Sequence, residues 1–208
     1  MHLHTGARKV DIQLMLSVAM FATVTSGTPG PNNVMLTASG ANFGYWRTLP
    51  HMVGIVLGIL VMNILVAAGL GVIFEQYPMV QQALKIAAST YLVYLAWKIA
   101  TAKSSKIEGE SDAKPLSIMG GALFQFLNPK AWMMVITAIG SFTLAGDSYW
   151  SSVLWIAVIF MLMGFPCISL WAAFGTVVGR FLSSPAAWRW FNLVMGLLTA
   201  GCLVFIWQ

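Results

Sequence analysis

Gly27-Thr28-Pro29-Gly30-Pro31-Asn32-Asn33 interrupts an otherwise apolar run that extends from Ile12 to Phe43. Two prolines remove two backbone donors, and their rings clash with carbonyls one turn back. Gly27 and Gly30 add backbone freedom, while Asn32 and Asn33 bring amides that both donate and accept. A simple kink would account for one proline, but not for two prolines with two glycines and two amides. At membrane depth, unpaired backbone cannot face lipid, so such a break must be buried in protein or line a watery cavity. The string reads as a functional interruption of a membrane-spanning helix.

The membrane setting follows from composition. Hydrophobic residues make up 59% of the 208 positions and charged residues 8%, against about 25% charged in a typical soluble domain. A soluble fold of this size would leave much of that apolar surface in water. The net charge of +5 does not point to nucleic acid, because the Lys and Arg residues form no dense run and sit between apolar stretches. Cys167 and Cys202 lie inside apolar segments with no His or Cys at metal-ligand spacing, and read as small core residues. Arg8, Lys9 and the apolar run after them have the outline of a secretory signal. The rest of the chain is equally hydrophobic, so cleavage would release no soluble protein, and the run is kept as a helix.

About 20 apolar residues at 1.5 Å rise cross a hydrocarbon core of about 30 Å. Six stretches qualify: Ile12–Phe43, His51–Phe74, Met79–Thr101, Leu116–Leu144, Trp150–Val178 and Ala187–Trp207. The polar run Lys103–Pro115, KSSKIEGESDAKP, divides them three and three. The expected fold is an all-α membrane protein with six transmembrane helices in two inverted three-helix halves, helices 1 and 4 broken. It forms one transmembrane domain over 1–208, with halves at 10–101 and 116–208 and a cytoplasmic loop at 102–115. Arg47, Lys98, Lys103, Lys106, Lys114, Arg180 and Arg189 fall on the loop's side, while Arg8, Lys9 and Lys85 fall opposite. The excess puts that side in the cytoplasm and both termini in the periplasm. Trp46, Trp97, Trp150, Trp188 and Trp207 lie near predicted ends and read as interfacial anchors. Gly54 and Gly58 permit close helix approach; packing within the chain explains them as well as a homo-oligomer does.

The fourth stretch carries the second break, Gln125-Phe126-Leu127-Asn128-Pro129-Lys130-Ala131. A lysine near mid-membrane costs roughly 2.5–3.5 kcal/mol on insertion scales. It survives beside water, a carboxylate or exposed carbonyls, or by snorkelling to the cytoplasmic interface. Pro29 and Pro129 hold corresponding places in the two halves, and matched interrupted helices point to a secondary-transporter site. Half-helix N-termini suit a carboxylate, and unwound carbonyls with Asn amides suit an ammonium. A zwitterion fits both. The candidate binding and translocation residues are Thr28, Pro29, Gly30, Pro31, Asn32, Asn33, Asn128, Pro129 and Lys130.

These residues resemble the LysE/RhtB family of amino-acid exporters. Thr28-Pro29-Gly30-Pro31-Asn32-Asn33 is similar to its N-terminal signature, Asn128-Pro129-Lys130-Ala131 to its second motif, and Tyr91-Leu92-Val93-Tyr94-Leu95-Ala96-Trp97-Lys98 to its third-span ending. The resemblance covers the chain from about Val10 and leaves MHLHTGARK unexplained. It is closest to the subgroup exporting cysteine, O-acetylserine and other small neutral amino acids. It implies export of a small-molecule substrate from the cytoplasm across the bacterial inner membrane, driven by the proton-motive force. No cofactor or metal is implied, and membrane lipid and protons are the remaining partners.

No Asp or Glu falls inside an apolar stretch, so no embedded carboxylate offers itself as proton carrier. Lys130 and His51 remain, His51 reading as an interfacial residue. An intramembrane enzyme would need a nucleophile with its base, an aspartate pair or a zinc cluster; no such motif occurs. An ion channel or ion transporter, which also uses broken helices, is the alternative, though the missing carboxylates argue against a divalent-cation path.

Overall fold

The computed structural model describes residues 11–70, 72, 76–102 and 114–207. The N-terminal segment with Arg8 and Lys9, Glu75, and most of the central polar loop lie outside the described residues. All regular structure among them is helical. Asp11 starts helix α1 (Ile12–Gly27), its carboxylate accepting from the Leu14 N–H at 2.8 Å, an N-cap contact that satisfies an otherwise orphaned donor. The helix ends where Thr28 turns extended ahead of Pro29. Helix α2 (Pro31–Phe43) begins on a proline, tolerated at the first position because that N–H has no helical partner.

Gly44, at φ +84°, makes the whole connection to helix α3 (Tyr45–Leu65). The sequence reading placed a linker over Gly44–Pro50. One glycine in a conformation that side chains resist does that work instead, and Pro50 sits inside the helix. A π-helical segment, Val66–Leu70, follows, and Tyr149 donates to its Ala67 carbonyl at 2.7 Å. Then come α4 (Pro78–Ala100), α5 (Ile118–Leu127), α6 (Pro129–Phe142), α7 (Tyr149–Phe181, with Pro166 inside) and α8 (Pro185–Gly201), which ends in a 3-10 turn over Cys202–Ile206.

Three helices among these are long and apolar enough to cross a membrane: Tyr45–Leu70, Gly146–Phe181 and Pro185–Val204. Shorter apolar helices, Ile12–Gly27 and Ile118–Leu127, precede the two interruptions. Leu154, Leu162, Leu170 and Phe181 of α7 all face outward. So do Trp46, Trp97, Trp150 and Trp207. An apolar exterior of this kind suits lipid rather than water. Trp188 departs from the expected anchors: it is buried, edge-on to Phe191 at 6.2 Å. His51 is likewise no interfacial residue. It is 1% exposed, sheltered where Gly121 of α5 lets the imidazole approach.

The helices meet through small residues. α2 packs against α7, α3 against α5, and α4 against α8. A Cβ on Gly40 would run into the Ala172 carbonyl, and one on Gly175 into the Thr37 carbonyl. Gly58 sits against α5, where a Cβ would come 2.6 Å from the Ala122 oxygen. The Gly54–Gly58 pair is thus used within the chain. Where lipid replaces water outside, such contact is the main attraction between helices. Gly40→Val is expected to cost at least about 1–3 kcal/mol, read as a fall of several degrees in the melting temperature of the purified protein. Gly140→Ala, facing open space, is expected to melt no lower than wild type.

Candidate functional site

Helix α1 ends with carbonyls that no following helical turn can satisfy. Side chains from three elements take them instead. The Asn33 amide, one turn into α2, reaches back to Ser26 O at 2.9 Å and Thr28 O at 2.7 Å. Trp171 of α7 donates its indole N–H to Gly27 O at 3.1 Å. Lys130 of α6 donates its ammonium to Thr28 O at 2.5 Å, Thr28 Oγ1 at 2.9 Å and Pro29 O at 3.3 Å. Four successive carbonyls, Ser26 to Pro29, are therefore hydrogen-bonded without helical continuation.

The second break is tighter. Asn128 closes α5 and opens α6, its side-chain oxygen accepting from the Lys130 N–H at 3.1 Å. Pro129 takes the first helical position. This short cap fixes where the Lys130 side chain starts, and Gly30 makes room for its stem. A Cβ on Gly30 would lie 2.8 Å from Lys130 Cδ and 3.2 Å from Nζ. Asn32 ties the breaks together a second time through a reciprocal amide pair with Gln125, at 2.8 and 3.2 Å. Gln125 is anchored in turn on Gly121 O at 2.8 Å.

A cavity of about 50 Å³ lies between the breaks. Its polar wall holds Ser26, Gly30, Asn32, Asn33, Asn128 and Lys130; α3 and α7 close it with residues such as Ile59 and Phe160. That volume suits a few waters. Among the described residues Lys130 is its one charged lining group. The α2 N-terminus receives no side-chain cap, because Gly30 has none to give. Its first N–H groups and positive dipole end thus remain suited to an anion.

Of the nine residues singled out from sequence, Gly30, Asn32, Asn33, Asn128 and Lys130 line this cavity. Thr28 and Pro29 are exposed and meet it through side chains that line it, Thr28 through Asn33 and Lys130 and Pro29 through Lys130. Pro31 is buried as a helix starter, and Pro129 borders a separate groove with Trp132 and Lys85. Sequence reasoning missed Trp171 and left Gln125 without a role. Both carried a signal: a tryptophan far from any predicted helix end, and an amide inside an apolar run.

Gly30 is extended, a conformation open to any residue, and its crowding neighbour is the far end of a flexible side chain. Gly30→Ala is therefore expected to shift stability by under about 1 kcal/mol, a few degrees in melting temperature. It should displace the ammonium from Thr28 and Pro29 and lower substrate flux at least tenfold. Melting curves and vesicle flux on one preparation check both halves.

Residues 23–206 match the family described as LysE type translocator. The chain is similar to the cysteine/O-acetylserine efflux protein of Escherichia coli (strain K12), 31% identical over 189 residues, 89% of this chain and 93% of the relative. The protein of that name from Shigella flexneri shows the same values, and that of Escherichia coli O1:K1 / APEC is 30% identical over the same shares. No solved structure matches the chain.

Proposed function

The chain belongs to the LysE-type translocator family, and from that premise we propose that it exports small neutral amino acids of the cysteine and O-acetylserine kind. Relatives named for that efflux align over 89% of its length. The single observation that carries the reading is the cavity between the two breaks. It offers an uncapped helix N-terminus for a carboxylate, and beside it the carbonyl oxygens that the Lys130 ammonium now holds, which suit a substrate ammonium. Thr28, Pro29, Gly30, Pro31, Asn32, Asn33, Asn128, Pro129 and Lys130 form the translocation site.

The same reading takes the chain as a single transmembrane domain of six spans in two inverted halves. α1 at 16 residues and α2 at 13 reach about 24 and 20 Å at 1.5 Å per residue. Neither crosses a core of about 30 Å alone, and in series they do. α5 and α6 repeat the arrangement at 10 and 14 residues. Both termini face the periplasm in this arrangement, following the Lys and Arg excess. The inner membrane is the site of work and the proton-motive force the driving gradient.

The test is uptake into inside-out vesicles, where export appears as accumulation. Cysteine or O-acetylserine should accumulate when the vesicle interior is acidified, and lose most of that accumulation with a protonophore. Asn33→Ala, which strips two hydrogen bonds from the α1 carbonyl end, should cut uptake at least tenfold with normal membrane insertion. A wild-type protein that accumulates no amino acid under any gradient would sink the proposal.

A further inference from the structure

The ammonium of Lys130 occupies the position a substrate ammonium needs. Its three hydrogen bonds go to Thr28 O, Thr28 Oγ1 and Pro29 O, the full donor complement of an ammonium. No carboxylate among the described residues lines the cavity to serve instead. With Lys130 in place the cavity of about 50 Å³ has room for a few water-sized molecules and is small for an amino acid. A second ammonium can take these oxygens only when this side chain leaves them.

Resting on the exporter reading above, we propose that Lys130 is the proton carrier of the cycle, its ammonium and the substrate's competing for the Thr28 and Pro29 oxygens. Once displaced, Lys130 has given up the three oxygens that offset its charge, and the described lining offers amides and hydroxyls but no carboxylate in their place. Such a group neutralises rather than stay charged. Lys130–NH3+ gives one proton to cytoplasmic water and becomes the amine, while the substrate –NH3+ takes over the three hydrogen bonds. After the zwitterion leaves outward, the amine takes one proton from the outer solution and returns to its oxygens. One amino acid moves out and one proton moves in, and no electrons are exchanged.

The surroundings leave this role to Lys130. Helix α6 packs against α1, α3, α5, α7 and the segments 66–70 and 202–206. In the last of these the Cys202 thiol donates to Leu198 O. On α7, Cys167 donates to Thr23 O and Tyr149 to Ala67 O. On α3, His51 lines a different cavity with Lys98 and Lys114. On α5, Gln125 is an amide held by Asn32 and Gly121.

Proton release on binding tests the exchange in the purified wild-type protein. L-cysteine is added in weakly buffered detergent at about pH 6.5, well below the ordinary ammonium range. About one proton is expected per cysteine bound, with a Kd that falls about tenfold for each unit the pH is raised. In Lys130→Met the Kd should stop responding to pH. In Lys130→Arg, whose guanidinium keeps its proton, binding and proton release should both be lost. The wild-type stoichiometry decides the matter even if a variant misfolds. Cysteine binding without proton release, or a wild-type pH slope in Lys130→Met, overturns the inference and leaves the exporter reading standing. A wild-type protein that neither binds nor moves any amino acid removes both.

Discussion

Everything at the centre of this molecule follows from one constraint: a helix stopped inside an apolar setting leaves carbonyl oxygens that must find donors. Water cannot be relied on there, and an unmet backbone group costs several kcal/mol. The chain meets the constraint at α1 with Asn33, Trp171 and Lys130. These come from α2, α7 and α6, so satisfying one helix end pins four helices together. The lysine, costly alone at that depth, and the carbonyls, costly without donors, offset each other. That mutual dependence explains why the two interruptions face each other rather than lying apart.

The same arrangement makes the site poised rather than rigid. Asn33 and Trp171 are neutral donors buried or half-buried in packed elements, and they hold the break permanently. Lys130 is different: it reaches from a cavity to an exposed turn, on a long flexible stem, and its donor can be replaced by any other ammonium. If that replacement carries a proton inward, each cycle moves one positive charge with the membrane potential. This is worth about 2.3 kcal/mol per 100 mV, before any pH gradient is added. An exporter without an embedded carboxylate would then need none.

Much of this was legible in the chain itself. The helical class, and the helix ends at Gly27 and Leu127 ahead of prolines, follow from hydropathy and proline chemistry, both local properties. The contact between Lys130 and Thr28 was only half legible: the sequence says that a lysine needs oxygens, but the choice between snorkelling and a distant carbonyl depends on packing. Trp188 and His51 were misread for the same reason. Position near a helix end suggests an interface, yet small residues on a neighbouring helix, such as Gly121 beside His51, can make an end position an interior one. Gly44 shows the limit for turns, since one residue did what seven were expected to do. The central loop and the first ten residues add nothing, lying outside the described structure.

Whether the two breaks form one site for a zwitterion can be read from ligands that lack one charge. Binding to the purified protein would be compared for L-cysteine, for cysteamine, which has no carboxylate, and for N-acetylcysteine, which has no ammonium. L-cysteine is expected to bind measurably and either analogue at least about tenfold more weakly, since each forfeits a charged contact of about 1.5–3 kcal/mol. Equal binding of either analogue would mean that one of the two half-sites is not used, and would contradict a single zwitterion site.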